Sequence, residues 1–332
     1  MAKWYLGEGE QSDVVISTRI RLARNLKQYP FPARLDTKSR LAVNEVIRKA
    51  VPASAGLRYI EMKTLTQAQI VAFAEKHVIS PEFASSADGR ALLLSADEEL
   101  SVMLNEEDHI RLQVMLPGLA LEQAYDTADK LDTAINEQVE YAFDERLGYL
   151  TQCPTNLGTG MRASVMLHLP ALAATNRIGA LGSTVSKLGL TIRGAYGEGT
   201  APMGDLYQVS NQVTLGISEK AAMENLKTIV LQIAAQERAA RTEMLKTTET
   251  QDLVYRAYGI LKSARLLDTR EFMELISRVR FGAVGGLLPL DAKVPNALMI
   301  AMQPANLNAR AGKNLSARER DELRAKLVRE AL

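Results

Sequence analysis

Residues 91–116 read "ALLLSADEELSVMLNEEDHIRLQVML". Three short apolar runs lie close together, parted first by "SADEE" and then by the acidic "NEEDH". Past the second break, Ile110, Leu112, Val114 and Leu116 alternate with His109, Arg111 and Gln113. A period of two is the pattern of a half-buried strand. Strands this close in sequence favour an antiparallel sheet and an α+β fold over a regular alternating α/β repeat.

Upstream, residues 14–25, "VVISTRIRLARN", read as a strand with Arg19 and Arg21 two apart and so on one face. Residues 36–51 and 66–77 read as helices. Downstream, residues 119–148 carry helical periodicity that stops at Gly148. Residues 162–169 read as a strand, 170–189 as a helix, and 190–216 as two strands around a glycine-rich loop. From Ser218 onward the pattern is almost wholly helical. The polar run Thr247–Asp252 follows a long helix and places a boundary there. The expected architecture is an antiparallel β-sheet flanked by helices over residues 1–246, followed by an all-helical C-terminal domain over 247–332.

The chain has 332 residues, 47% hydrophobic and 24% charged, with a formal net charge of +1. That balance gives no hint of a nucleic-acid or membrane partner. One cysteine excludes an internal disulfide framework and a cysteine-based zinc cluster, and three unpaired histidines argue against a histidine metal site. Neither a signal-peptide pattern nor an apolar run of the roughly 20 residues that span a bilayer is present. The expectation is a cytoplasmic protein with no resident metal.

Five arginines lie near strand ends or turns: Arg19, Arg21, Arg111, Arg162 and Arg193. A guanidinium is permanently charged and meets phosphate oxygens bidentately, so several converging on one spot would hold a polyphosphate. Singly, each also reads as a solvated surface arginine. Glu106, Glu107 and Asp108 read as a carboxylate base, as a magnesium-side charge or as a soluble hairpin tip. Glu198, between Gly197 and Gly199, either reaches over a ligand or sits in a turn. The glycines match neither the P-loop nor the dinucleotide fingerprint. If ATP binds, arginines hold it. Cys153 opens "CPTNLGTGMRAS" and is either a substrate-side thiolate or an inert thiol. Its two glycines are expected to let the backbone approach the nucleotide.

Near the C-terminus, Ser316 and Glu319 form a capping box. Leu323, Leu327, Val328 and Ala331 define an apolar arc, and Arg320 and Arg324 lie within it. Inward cations need an anion, either an internal carboxylate such as Asp321 or a bound ligand. His77 and His168 have apolar neighbours and read as packing or hydrogen-bonded residues.

Taken in order, "STRIR" (17–21), "NEEDHIR" (105–111), "CPTNLGTGMRAS" (153–164), and "RGAYGEG" (193–199) with "SNQVTLG" (210–216) resemble the phosphagen (guanidino) kinase family. Only residues 1–18 precede the arginine pair, and "QPANL" (303–307) and "RDELRA" (320–325) lie in a helical extension. These features resemble the branch of the family that phosphorylates arginines of proteins. The resemblance implies phosphoryl transfer from ATP with Mg²⁺ to a guanidinium. Glu107, Glu198 and Cys153 would be catalytic. ATP would be held by Ser17, Thr18, Arg19, Ile20, Arg21, Arg111, Arg162, Ala163, Ser164, Val165, Met166, Arg193, Gly194, Ala195, Tyr196, Gly197 and Glu198. Glu106 and Asp108 would hold magnesium waters or be plain turn residues. Arg320, Asp321, Arg324 and Ala325 would bind phosphoarginine as an allosteric ligand. Expected partners are proteins with exposed arginines, a second copy of the chain, a zinc-binding activator, a Clp ATPase and a stress-response repressor. A kinase for free arginine or another guanidino metabolite, or a catalytically weak phosphoarginine-binding adaptor, stand as alternatives. One departure is visible: family members often carry a nucleotide-binding histidine in the segment before "NEEDH", where "ISPEFAS" has Glu82.

Overall fold

A computed structural model describes residues 3–194 and 202–332. In chain order the strands are β1 (Val15–Arg24), β2 (Arg58–Glu61), β3 (Ala91–Leu94), β4 (Leu100–Leu104), β5 (Ile110–Pro117), β6 (Phe143–Asp144), β7 (Gly148–Tyr149), β8 (Met161–His168), β9 (Leu190–Gly194) and β10 (Leu206–Asn211). The helices are α1 (Thr37–Ala50), α2 (Gln67–Glu75), α3 (Pro81–Ala84), α4 (Leu121–Asn136), α5 (Pro170–Ala174), α6 (Ile178–Lys187), α7 (Glu219–Met244), α8 (Thr248–Ser263), α9 (Thr269–Val284), α10 (Lys293–Ala301), α11 (Pro304–Ala311) and α12 (Ala317–Ala331).

Eight strands form one antiparallel sheet in the order β2-β3-β4-β5-β1-β8-β10-β9. The β4–β5 hairpin turns at Asn105–His109, where Asn105 takes a positive φ of 60° and donates its N–H to His109 O. The sheet is two-faced because β1, β5 and β8 each alternate. Ile20, Leu22, Leu112, Val114, Ala163 and Val165 point to one side and pack with α1, α4 and α7. Helix α1 starts where Asp36 accepts from Ser39 N, and α7 where Ser218 accepts from Ala221 N. The other face carries the arginines in its centre. There it is closed at one end by Met115, Met166 and Leu206, which join a single apolar cluster with Phe272, Ile276 and Val279 of α9.

Two expected helices are shorter than their periodicity. The helix read as 119–148 stops at Asn136, and residues 143–149 turn back as the β6–β7 hairpin. Asp144 Oδ1 accepts from the N–H groups of Arg146 and Leu147, so an aspartate turn beats helical continuation there. The segment 170–189 breaks into α5 and α6 at Asn176, which holds φ 55°.

Helix α12 has the predicted capping box between Ser316 and Glu319. Arg324 is fully buried. It donates to Met302 O (2.9 Å), Leu267 O (2.6 Å), Asp321 Oδ1 (2.8 Å) and Thr269 Oγ1 (2.9 Å). Arg324→Ala is expected to cost about 3–5 kcal/mol, because it strands these acceptors around a cavity; a urea titration that finds no loss would overturn the assignment.

Candidate active site

The register of the sheet gathers the arginines. Arg21 of β1 lies opposite Gln113 of β5 and Arg162 of β8, and Arg19 opposite Met115 and Ser164. Arg111 lies two pairs further along β5, opposite Ala23 and so on the same face. Arg193 of β9 pairs with Gln208 of β10. All five point to the face away from the main core and line one cavity of about 690 Å³, together with His77, Glu106, Glu107, Asp108, Cys153 and Ser210.

Strand β10 orients two of them. Arg19 donates to Gln208 Oε1 at 2.5 Å and Arg162 to Ser210 Oγ at 3.4 Å. Arg111 is gripped by Glu106, which also accepts from Ser80. Two buried guanidinium nitrogens, Arg21 Nε and Arg162 Nε, have no partner among the described residues. Buried donors are normally satisfied, so these two are aimed at something else.

The electrostatics agree. Burial pushes Arg19 down to about 10, with Arg111 and Arg162 adding repulsion. Burial and the charges of Arg19, Arg111 and Arg162 hold Arg21 well below the ordinary range. Arg162 is lowered by burial, then by Arg193 and Arg111. Burial also works against Arg111, but the Glu106 carboxylate outweighs it and its net shift is upward. A guanidinium does not release its proton. The cluster instead stores repulsion that a polyphosphate would relieve.

At the other end, Glu107 touches Cys153, and Cys153 Sγ lies 3.0 Å from Thr155 Oγ1. Burial, then Asp108, raises the Glu107 carboxyl above the usual range, against the pull of Arg111. Asp108 accepts from Asn25 (2.6 Å) and Gln152 N (2.8 Å), stapling the acidic turn to the loop that carries Cys153. Asp108 and Glu106 are therefore both engaged by the protein. His109 is structural: its Nδ1 accepts from Leu26 N, which leaves Nε2–H to donate to Pro30 O.

The predicted residues divide by strand face. Arg19, Arg21, Arg162 and Ser164 share the cavity face. Thr18, Ile20, Ala163 and Val165 point the other way, and Thr18 Oγ1 is tied to Gly118 O and Ala120 N. Ser17 and Met166 are buried at the end closed by the C-terminal helices. Gly194 ends β9. Ala195, Tyr196, Gly197 and Glu198 lie outside the described residues. The glycines after Cys153 answer a packing need. A Cβ on Gly158 would meet Thr214 O at 2.2 Å, and one on Gly160 would meet Arg24 Nη1 at 2.6 Å. They let neighbouring protein segments pack closely, and Gly160 also lines the cavity.

His77, read from the sequence as a packing or hydrogen-bonded residue, also lines the cavity. It follows α2 with φ 59° and has its pKa lowered to about 3 by burial and then by Arg19. Its carbonyl accepts from Gln113 (2.8 Å), and its ring centroid is 6.0 Å from that of Trp4. Trp4 is the only tryptophan, so nucleotide binding in this cavity is expected to change the intrinsic emission. A flat titration would place the nucleotide elsewhere.

An antiparallel sheet that presents an arginine cradle beside a carboxylate–thiol pair defines a phosphotransferase of guanidino groups. The model of the ATP:guanido phosphotransferase C-terminal catalytic domain matches residues 40–240, and the chain belongs to this family. The fold is shared with lombricine kinase, at 28% identity and a TM-score of 0.61 over 72% of this chain and 71% of that one. It is also shared with the duplicated taurocyamine kinase of Schistosoma mansoni bound to transition-state-analogue components, at 25% identity and 0.63 over 80% of this chain and 40% of that one.

Within the family, residues 247–332 match the model of the protein-arginine kinase McsB C-terminal domain. The protein-arginine kinase of Halothermothrix orenii is 44% identical over 100% of this chain and 97% of its own length. That of Caldanaerobacter subterraneus subsp. tengcongensis is 47% identical over 95% and 96%.

Proposed function

We propose that this chain is an ATP-dependent protein-arginine kinase built from a catalytic region, residues 1–246, and a helical region, 247–332. The observation that carries the reading is one cavity holding five arginines, two with buried nitrogens that have no partner among the described residues, beside Glu107 and Cys153. The arginines fit the triphosphate of ATP, and His77 is positioned for a nucleotide contact. Mg²⁺ would travel on the phosphates and neutralise part of their charge. Glu106 and Asp108 are already taken up by protein partners.

A substrate guanidinium enters on the Glu107–Cys153 side. Arginine has a pKa above about 12, so its nitrogen is a poor nucleophile until a base takes a proton. Glu107 accepts that proton as the nitrogen attacks the γ-phosphorus; the N–P bond forms, the bond to the β,γ-bridging oxygen breaks, and ADP leaves. Charge spreading over the transferring phosphoryl is met by fixed guanidinium groups, so catalysis is mainly positioning and neutralisation. Cys153 lies against the base and would flank the guanidinium. Glu198 is assigned as the second carboxylate clamp from its motif alone.

In the helical region we assign Arg320 of the "RDELRA" motif to phosphoarginine; Arg324, fully buried and bonded to four protein acceptors including Asp321, and the buried Ala325 support that helix instead. Arg320 is half-buried and donates to Leu315 O, which leaves it further donors for a phosphoryl group. Arg320→Ala should abolish phosphoarginine binding in a calorimetric titration and leave stability nearly unchanged; unaltered affinity removes the site. Product binding there would couple to catalysis. The same reading brings the partners named above: a second copy, a zinc-binding activator, a Clp ATPase and a stress-response repressor, in the cytoplasm. Among the described residues no helix is long and apolar enough to cross a membrane.

The test is incubation with ATP and either an unfolded protein or free arginine, read by ³¹P NMR. Acid-labile phosphate on protein arginines supports the proposal. Labelling of free arginine alone replaces it with the metabolite-kinase reading.

A further inference from the structure

A buried polar chain joins the C-terminal helices to the strand that orients the arginines. Arg280 of α9 is fully buried. It donates to Asn296 Oδ1 (2.7 Å), Ser12 O (2.9 Å), Asp13 O (3.2 Å) and His168 Nδ1 (2.9 Å). A guanidinium only donates, so His168 Nδ1 is the acceptor and its proton sits on Nε2. That Nε2–H faces Ser277 Oγ at 2.8 Å. The Ser277 hydroxyl is then left to donate to Asp205 Oδ2 at 2.6 Å. Every hydrogen in the chain Arg280 → His168 → Ser277 → Asp205 has one direction, from a cation to a carboxylate.

Both ends of this chain are fixed. The Asp13 main chain is held because its carboxylate binds Arg238 and Arg241 of α7. Asp205, at φ 53°, immediately precedes β10, and its carbonyl accepts from Leu169 N at 2.9 Å. His168 is the register partner of Leu206, the first residue of β10. Two and four residues further on, Gln208 and Ser210 face the cavity and bond Arg19 and Arg162. Apolar side chains could fill this junction, and a polar chain there pays desolvation unless it is complete. What it adds is a fixed position.

We propose that Arg280, His168, Ser277 and Asp205 are positioning residues. They set the foot of β10, and so hold Gln208 and Ser210 where these aim Arg19 and Arg162 at the phosphates. Helix α9 is then part of the catalytic apparatus although it touches no substrate. This inference rests on the arginine cradle being the ATP site.

The test is a double-mutant cycle between Ser277→Ala and Gln208→Ala in the full-length chain. It is read as kcat on a protein substrate and as ATP affinity, well below each variant's Tm. Misplacing a phosphate-gripping group by a fraction of an ångström should lower kcat about tenfold or more. Each single change is expected to show that loss, the pair to lose no more than the worse single, and Ser277→Thr to restore turnover. Should Ser277→Ala not fold, Ser277→Cys keeps the volume, weakens the donor and enters the same cycle. Effects that multiply to about a hundredfold, or wild-type kcat and ATP affinity with Ser277 altered, overturn the inference. Absence of turnover in the wild type itself counts against the proposed function instead, and the cycle is then decided by ATP affinity.

Discussion

Arg21→Met should lower kcat by about 10³-fold or more, the scale on which an arginine stabilises a transferring phosphoryl group, while making the folded protein more stable. The two effects come from one cause. The Arg21 side chain lies among Arg19, Arg111 and Arg162, with a buried Nε that has no partner among the described residues. Removing it relieves repulsion and desolvation, and methionine fills a similar apolar volume. A gain of about 0.5–2 kcal/mol is expected, the usual size of a stabilising single substitution. ATP should raise the Tm of the wild type by linkage and shift the variant much less. Thermal denaturation with and without ATP, beside steady-state kinetics, checks both. A variant that loses stability as well as activity would mean that Arg21 is a structural cation.

Glu107→Gln should lower kcat by about 10²–10⁴-fold, the range for loss of a general base, with ATP affinity largely kept because the arginines, not Glu107, are assigned to the phosphates. The pH dependence carries a sign. Glu107 titrates above the ordinary carboxylate value of about 4.3, through burial and then Asp108. It accepts a proton only when ionised, so kcat falls as pH drops through this raised pKa, and the amide variant lacks that limb. A pH–rate profile of each, with Tm followed in parallel to exclude acid unfolding, makes the comparison. Near-wild-type turnover in the Gln variant would remove Glu107 from the mechanism.

The period-two alternation of β1 and β5 made the sheet legible, and with it the shared face of Arg19 and Arg21. Arg324 with Asp321 was also within reach, because residues three apart on a helix are neighbours. The length of the helix after Leu119 was not, because a single aspartate turn at Asp144 decides where the chain folds back. His77 is assigned to the cavity only once the backbone leaves α2 in a left-handed conformation and brings the ring beside Trp4. The purpose of Gly158 and Gly160 depends on Thr214 and Arg24, far along the chain. Arg280 and His168 are 112 positions apart, and no local pattern announces such a pair.

The cradle and Glu107 are together expected to phosphorylate arginine in proteins. Mass spectrometry of an unfolded arginine-containing protein after incubation with ATP and Mg²⁺ tests it most directly. The expected result is an added phosphoryl group on arginine side chains that is lost in mild acid, and its absence with Glu107→Gln. Phosphate that resists acid on serine, threonine or tyrosine, or equal labelling by the Glu107 variant, would contradict it.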